Sequence, residues 1–162
     1  VVTTMATIAE RAEAEADYRA WGARLGRVRR AGNTADVALS DRITESITHA
    51  AWQAASDVGA AAIICCTRTG RVARAMARFR PTMPLLAMSP SPATRGGLAL
   101  SWGVETMSLD EVHSTDEMVW LAVEKAVTTG RVPAGSVVLV IAGAPDRHSD
   151  AAADVIRLVS VD

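Results

Sequence analysis

A short polar and basic run follows an apolar segment at residues 61–66 and leads into a helical pattern. Threonine hydroxyls, a glycine backbone and guanidinium groups all suit a bound phosphate, and free N–H groups at a helix start add donors. In open α/β sheets, ligands bind beyond the carboxyl ends of the strands, where this run lies. The run therefore predicts a phosphate site made of Thr67, Arg68, Thr69, Gly70 and Arg71. An ordinary polar turn capped by Thr69 is the alternative interpretation.

Other basic residues could extend this site or belong to the solvated surface. Arg147 and His148 lie in a loop after the last strongly apolar run, and in a sheet of this kind that loop could approach the first one. A hairpin loop without a ligand explains them equally well. Arg71, Arg74 and Arg78 recur on one helical face, where a solvated surface is a more usual explanation than an anion site or a subunit contact.

The residue types that usually perform catalysis do not form a recognisable group. His49, His113 and His148 are scattered, without the spacing of metal ligands. Cys65 and Cys66 lie in an apolar run, so neither is expected to be an exposed nucleophile. Neighbouring strand residues point to opposite faces, which argues against a disulfide between the two cysteines and favours a reducing compartment. The sequence therefore predicts no catalytic residue and no metal site.

Charge and hydropathy argue against two classes of partner. The chain has 17 basic and 18 acidic residues and a net charge of −1, which gives no strong overall field for nucleic acid. No apolar run approaches the roughly 20 residues that are needed to cross a bilayer. Neither a nucleic acid nor a membrane is therefore an expected partner.

The elements that would position the loop follow from the apolar pattern. Of the 162 residues, 49% are hydrophobic, which is enough for the core of one domain. Short segments that are continuously apolar or alternating lie between the helical patterns and predict strands at residues 61–66, 85–88, 104–107, 137–142 and 155–161. This alternation predicts an α/β fold with a mainly parallel sheet and helices on both faces. The last run also alternates, so it predicts an edge or interface strand that exposes Val155, Leu158 or Val161.

The same pattern divides the chain into three parts. Residues 1–20 are predicted to form a helix, residues 21–38 a helix tail with a linker, and residues 39–162 an α/β domain. The arginines of the linker could bind an anion, although a solvated linker explains them more simply. Ser40 or Asp41 is expected to cap the helix that follows, and Ser114 with Glu117 is expected to form a capping box later in the chain.

Several motifs, taken in order, resemble pyruvate kinase from its last barrel helix to its C-terminus. The most specific are TRTGRVAR at residues 67–74 and FRPTMPLLA at residues 79–87, and further matches lie at 4–9, 102–104 and 135–145. The resemblance covers nearly the whole chain and is weakest at 22–38. It implies a three-layer α/β/α domain whose five-stranded, mostly parallel sheet has an antiparallel final strand. It also implies that residues 1–20 correspond to the last barrel helix.

The resemblance implies one function for the whole enzyme and another for this part of it. Pyruvate kinases transfer phosphate from phosphoenolpyruvate to ADP in glycolysis, giving pyruvate and ATP, with Mg²⁺ and usually K⁺ on a barrel that this chain lacks. In many relatives the C-terminal domain binds phosphorylated allosteric effectors, and it supplies a subunit interface of a homotetramer. This chain is therefore expected to be inactive alone, without a cofactor of its own. Its expected partners are an effector, the barrel domain and further copies of itself, in the cytoplasm.

Departures from the family pattern narrow the expected effector. Val72 stands where the effector loop often has a hydroxyl residue, and Asp154 adds a negative charge to the late segment. The Trp and Arg that bind a sugar bisphosphate in some relatives fall, by count, near Glu111 and Met118. AMP or a sugar monophosphate is therefore expected rather than fructose bisphosphate. The alternatives are a purely structural oligomerisation domain with a vestigial loop, a free-standing phosphate-binding module, and a free-standing enzyme on the same fold.

Overall fold

The computed structural model describes residues 1–31, 38–143 and 153–162 and places a five-stranded sheet at their centre. The strands are β1 (Ala62–Cys66), β2 (Leu85–Ser89), β3 (Val104–Ser108), β4 (Val137–Ala142) and β5 (Val155–Ser160). They lie in the order β3-β2-β1-β4-β5, with β5 antiparallel to β4 and the other neighbours parallel. The predicted sheet, with its antiparallel final strand, is therefore confirmed.

Helices cover both faces of this sheet. In the described residues they are α1 (Val2–Glu15), α2 (Tyr18–Ala31), α3 (Leu39–Val58), α4 (Arg71–Ala77), α5 (Pro92–Leu98) and α6 (Thr115–Thr128). Side chains of α3 and α4 share one buried cluster with the sheet, and side chains of α6 share the other. The predicted three-layer α/β/α architecture is confirmed.

The central strand β1 shows why the sequence pattern predicts the sheet so clearly. Ile63 and Cys65 belong to the cluster under α3 and α4, whereas Ile64 and Cys66 belong to the cluster under α6. Every residue of β1 is buried because both faces are covered. A strand that is buried on both faces reads as a continuous apolar run, not as an alternating one.

The N-terminal segment differs from the single helix predicted for residues 1–20. The structure has two helices, because Ala16 is extended (φ −77°, ψ 128°) and ends α1. The Asp17 carboxylate then accepts a hydrogen bond from the Ala20 backbone N–H at 2.9 Å and caps α2. The segment predicted as helix tail and linker is helical as far as Ala31. Residues 32–37 of that linker lie outside the described residues.

Two glycines bring α2 close to α3. A methyl group at Gly22 would lie 2.4 Å from the Trp52 ring, and one at Gly26 would lie 2.4 Å from His49 Nε2. Trp52 in turn stacks on Phe79, with ring centroids 5.6 Å apart. These residues form an aromatic cluster, defined here as His49, Trp52 and Phe79, on which α2 rests.

A second contact joins α1 to the α/β domain. Trp102 Nε1 donates a hydrogen bond to Glu13 Oε1 at 2.8 Å, and the Arg80 guanidinium lies 4.4 Å from the Trp102 ring centroid. The same guanidinium lies 5.6 Å from the Tyr18 ring centroid, and the Tyr18 and Trp102 centroids are 5.2 Å apart, so the three groups form one cation–π cluster. Arg80 has a left-handed backbone (φ 51°), which is uncommon for a residue other than glycine.

The helix starts confirm one predicted cap and correct another. Ser114 caps α6, because its Oγ accepts a hydrogen bond from the Glu117 backbone N–H at 3.1 Å. The expectation that Ser40 or Asp41 caps α3 is wrong. The N-cap is Ala38, without a side-chain hydrogen bond, and both Ser40 and Asp41 lie inside the first turn. Their side chains contact α4 instead, as described below.

Candidate functional site

The predicted phosphate loop lies at the carboxyl edge of the parallel strands. Thr67 directly follows β1, and its backbone N–H donates to the Met88 carbonyl of β2 at 2.9 Å. After this last sheet contact the chain leaves the edge, with Arg68 and Thr69 exposed and Gly70 buried. The structure therefore brings together the five residues predicted from the sequence, at the place where ligands bind in such sheets.

Hydrogen bonds within the loop fix its backbone. The Gly70 N–H donates to Thr67 Oγ1 at 2.9 Å, and the Arg71 N–H approaches Thr69 Oγ1 at 3.5 Å. Gly70 has a left-handed backbone (φ 81°, ψ 0°) and occupies the N-cap of α4, so the cap is not Thr69. Both threonine hydroxyls act as acceptors here, and each still has one O–H to donate to a ligand.

The two arginine side chains of the loop lie against carboxylates from other parts of the chain. Arg68 Nη1 is 3.2 Å from Glu111 Oε1, between β3 and α6. Arg71 Nη1 is 3.1 Å from Asp41 Oδ1 and 3.4 Å from Ser40 Oγ, in the first turn of α3. A guanidinium has five N–H donors, and the Glu111 contact of Arg68 uses only part of them.

Helix α5 holds the outer side of the loop. Thr94 Oγ1 donates to the Arg68 carbonyl at 2.7 Å, and Ser91 Oγ caps α5 by accepting from the Thr94 N–H at 3.2 Å. Arg95 Nη1 donates to the Ser89 carbonyl at the end of β2 at 2.6 Å. Sequence reasoning did not assign Thr94 or Arg95 to the site. Only the pair of Ser91 at the N-cap and Pro92 at the first position of α5 signals the helix start that brings them there.

The arginine face predicted on α4 is divided among separate contacts. Arg71 reaches Asp41, Arg74 Nη1 donates to the Thr69 carbonyl at 3.1 Å, and Arg78 lies 4.0 Å from Glu45. These side chains therefore support the loop and α3 individually. The other predicted basic residues, Arg147 and His148, lie outside the described residues.

Comparison with known proteins identifies the family of this fold. The family model described as pyruvate kinase, alpha/beta domain, matches residues 45–159. The chain belongs to the pyruvate kinase alpha/beta domain family. A pyruvate kinase of Clostridium acetobutylicum is 41% identical over 149 residues, which are 91% of this chain and 29% of that protein. A pyruvate kinase of Geobacillus stearothermophilus is 36% identical over 107 residues, which are 66% of this chain and 18% of that protein.

A solved pyruvate kinase supports the same fold. The crystal structure of a pyruvate kinase from Cryptosporidium parvum covers 93% of this chain with a TM-score of 0.74 and 24% identity. The chain covers 28% of that structure, so it matches a part of a larger enzyme. The family-model match at residues 45–159 includes the loop, β1 to β4 and β5 as far as Val159, whereas α1 and α2 precede it.

Both cysteines of this pyruvate kinase domain are free and buried. Burial raises the pKa of the Cys65 thiol far above its ordinary value, and it raises the pKa of the Cys66 thiol to about 12. The thiolate is the reactive form, so neither cysteine is a nucleophile in the folded chain. The folded chain disfavours the Cys66 thiolate, so Cys66 loses its proton near pH 12 in the folded chain but near 9.0 in the unfolded chain. The contribution of the Cys66 thiol to the free energy of unfolding is therefore complete below pH 9.0 and is lost as the pH rises from 9.0 toward about 12.

The described residues contain neither a candidate metal cluster nor a candidate membrane span. Among residues 1–31, 38–143 and 153–162, no three His, Cys, Asp or Glu side chains are grouped so that they could bind a metal ion. No helix in the same residues combines the length and apolar character that are needed to span a membrane.

Proposed function

We propose that this chain is the regulatory and assembly domain of a pyruvate kinase and that its loop, residues 67–71, binds the phosphate of an allosteric effector. The enzyme as a whole would transfer phosphate from phosphoenolpyruvate to ADP, with Mg²⁺ and K⁺ held by its catalytic barrel. This chain would bind no cofactor itself. Two free, buried thiols support a cytoplasmic location for it.

The observation that carries the proposal is the pair of guanidinium groups of Arg68 and Arg71 beside a rigid turn. Thr67, Thr94 and the β2 strand fix the backbone of this turn through hydrogen bonds. A phosphate monoester offers three oxygens and up to two negative charges, so a loop arginine can bind it more strongly than it binds a carboxylate. The short α4, with seven residues, contributes little to this argument.

The sheet topology favours a single phosphate. Because β5 is antiparallel to β4, β5 begins at the same edge as the loop, and the exposed Asp154 lies there. Its backbone N–H donates to the Ala142 carbonyl at 3.2 Å, which keeps it at the end of β4. A negative charge at this edge disfavours a second phosphate group. AMP or a sugar monophosphate is therefore proposed over fructose bisphosphate.

The test is the melting temperature of the chain with AMP, a hexose monophosphate, fructose bisphosphate and sulfate. A ligand at 100 times its Kd stabilises the native state by about 2.7 kcal/mol, which raises the melting temperature by several degrees. We expect a rise with a monophosphate that exceeds the rise with sulfate. Arg68→Ala should weaken binding roughly tenfold or more, because a hydrogen bond to a charged group is worth about 1.5–3 kcal/mol.

Arg131→Ala is the matched control for this test. Arg131 is an exposed arginine in an ion pair of 2.6 Å with Glu105, and it follows α6, away from the loop. Its loss should leave the effect of the ligand on the melting temperature unchanged. No rise with any phosphate compound would leave a structural domain with a vestigial loop. Phosphoryl transfer by the purified chain would instead support a free-standing enzyme.

Assembly is the second proposed function, and the edge strand β5 supports it. Within the described residues β5 pairs only with β4, so its other edge offers unpaired backbone groups. Leu158 is 46% exposed and Val155 is half-buried, as an interface strand requires. The expectation of exposure is wrong for Val161, which is buried because it packs in the cluster under α6.

Leu158→Glu is expected to weaken self-association about tenfold or more, since a charge placed in the apolar centre of an interface is costly. Sedimentation equilibrium of the wild-type chain and the variant would measure the change in the association constant. Leu100→Glu is the control, because Leu100 is 95% exposed in the turn before β3, at the opposite end of the sheet. A wild-type chain that stays monomeric at high concentration would contradict the assembly proposal.

A further inference from the structure

Glu111 has a contact that gives it a specific place in the candidate site. It lies between β3 and α6, and its Oε1 atom is 3.2 Å from Arg68 Nη1. The side chains of both residues remain more than half exposed, at 54% for Arg68 and 64% for Glu111. Solvent and ligands can therefore reach the pair, and the carboxylate can be displaced without unfolding the domain.

The carboxylate occupies a position that a bound anion would use. A donor of Arg68 that faces Glu111 becomes available to a ligand only after the carboxylate has moved. Asp41 and Ser40 make a similar arrangement for Arg71, at 3.1 and 3.4 Å. An incoming monoanionic carboxylate would only replace like with like, whereas a phosphate dianion brings a third oxygen and a second charge.

We infer that Glu111 is an internal competitor for the Arg68 guanidinium, that an anionic ligand at Arg68 must displace its carboxylate, and that Glu111 thereby lowers the affinity of the site for such ligands. This inference rests on the proposed function of the loop. Glu111 is thus a residue that sets the affinity of the site, because the free-energy cost of displacing its carboxylate is the same for each anion that takes its place. Only an anion that binds Arg68 more strongly than a carboxylate, such as a phosphate dianion, outweighs this cost.

The experiment measures the Kd of AMP and of inorganic phosphate for the wild-type chain and for Glu111→Gln. Exposed ion pairs are worth little, so the variant should bind both ligands roughly two- to fivefold more tightly. The gain should be similar for the two ligands, because each must displace the same carboxylate. Glu105→Gln is the matched control, because Glu105 pairs with Arg131 and does not contact the loop.

A double-mutant cycle with Arg68→Ala separates competition from a general effect of charge. If Glu111 acts through Arg68, the gain from Glu111→Gln disappears in the Arg68→Ala background. Two results would overturn the inference and leave the phosphate site intact. Either Glu111→Gln fails to lower the Kd of AMP and phosphate, or it lowers the Kd to the same extent in the Arg68→Ala background. Absence of AMP and phosphate binding in both the wild-type chain and Glu111→Gln would overturn the proposed function, and the inference with it.

Discussion

Replacing Phe79 by alanine is expected to lower the free energy of unfolding by about 3–5 kcal/mol, the usual cost of removing a buried aromatic ring. The ring is 1% exposed and lies 5.6 Å from the Trp52 ring and 5.8 Å from the His49 ring, measured between centroids. A methyl group would leave a cavity beneath these rings. Urea denaturation of the wild-type chain and the variant would measure the loss.

The same substitution should loosen α2 more than the sheet. Gly22 and Gly26 place α2 directly against Trp52 and His49, so these rings need Phe79 behind them to hold their positions. Amide hydrogen exchange should therefore rise more in α2 than in β1. Phe79→Leu is the control, with an expected loss of roughly 1–2 kcal/mol. Equal losses for leucine and alanine would show that the ring contacts are not what stabilises the cluster.

The sheet could be predicted from the sequence because each strand is recognisable from its own run of consecutive residues. Ile63 and Ile64 face opposite layers, and a strand with two covered faces must be apolar throughout. The helices between the strands then imply parallel neighbours and a loop at the carboxyl edge. The position of Thr67 to Arg71 follows from those steps alone.

The surroundings of the loop could not be predicted in the same way. Glu111 and Asp41 reach the two arginines from segments that are distant in sequence, and only the tertiary fold brings them there. Thr94 reaches the Arg68 carbonyl by the same route. Nothing in the residue types around Glu111 distinguishes it from an ordinary solvated carboxylate.

The predicted helix boundaries were wrong for a different reason, because several neighbouring residues could act as the N-cap. Ser40 and Asp41 are both good N-cap residues, yet α3 begins one residue before Ser40 and Asp41 contacts Arg71. At the break between α1 and α2, Asp17 does cap a helix, as its residue type allows. The apolar pattern of residues 1–20 predicted a single helix, so this cap was not assigned. A cap depends on which competing contact the side chain makes, and that contact is tertiary.

Gly70→Ala is expected to lower the free energy of unfolding by about 1–3 kcal/mol and to abolish phosphate binding at the loop. Gly70 has a φ of 81°, which disfavours any side chain, and an added methyl group would lie 3.2 Å from Leu98 Cδ2. Leu98 is fully buried, so it has little room to move. The backbone of the loop must shift instead, which moves Arg68 and Arg71 away from their present geometry.

Gly59→Ala separates the two causes of this loss. Gly59 is also left-handed, with a φ of 65°, but no atom lies within 4 Å of a methyl group added there. It ends α3, away from the loop, so its substitution should cost only the backbone term of about 1–2 kcal/mol. Denaturation would compare the stabilities, and the thermal shift with AMP would compare binding. Gly59→Ala should keep the shift that Gly70→Ala loses. If Gly70→Ala binds AMP as the wild-type chain does, the turn geometry does not form the site and the arginines bind the phosphate without it.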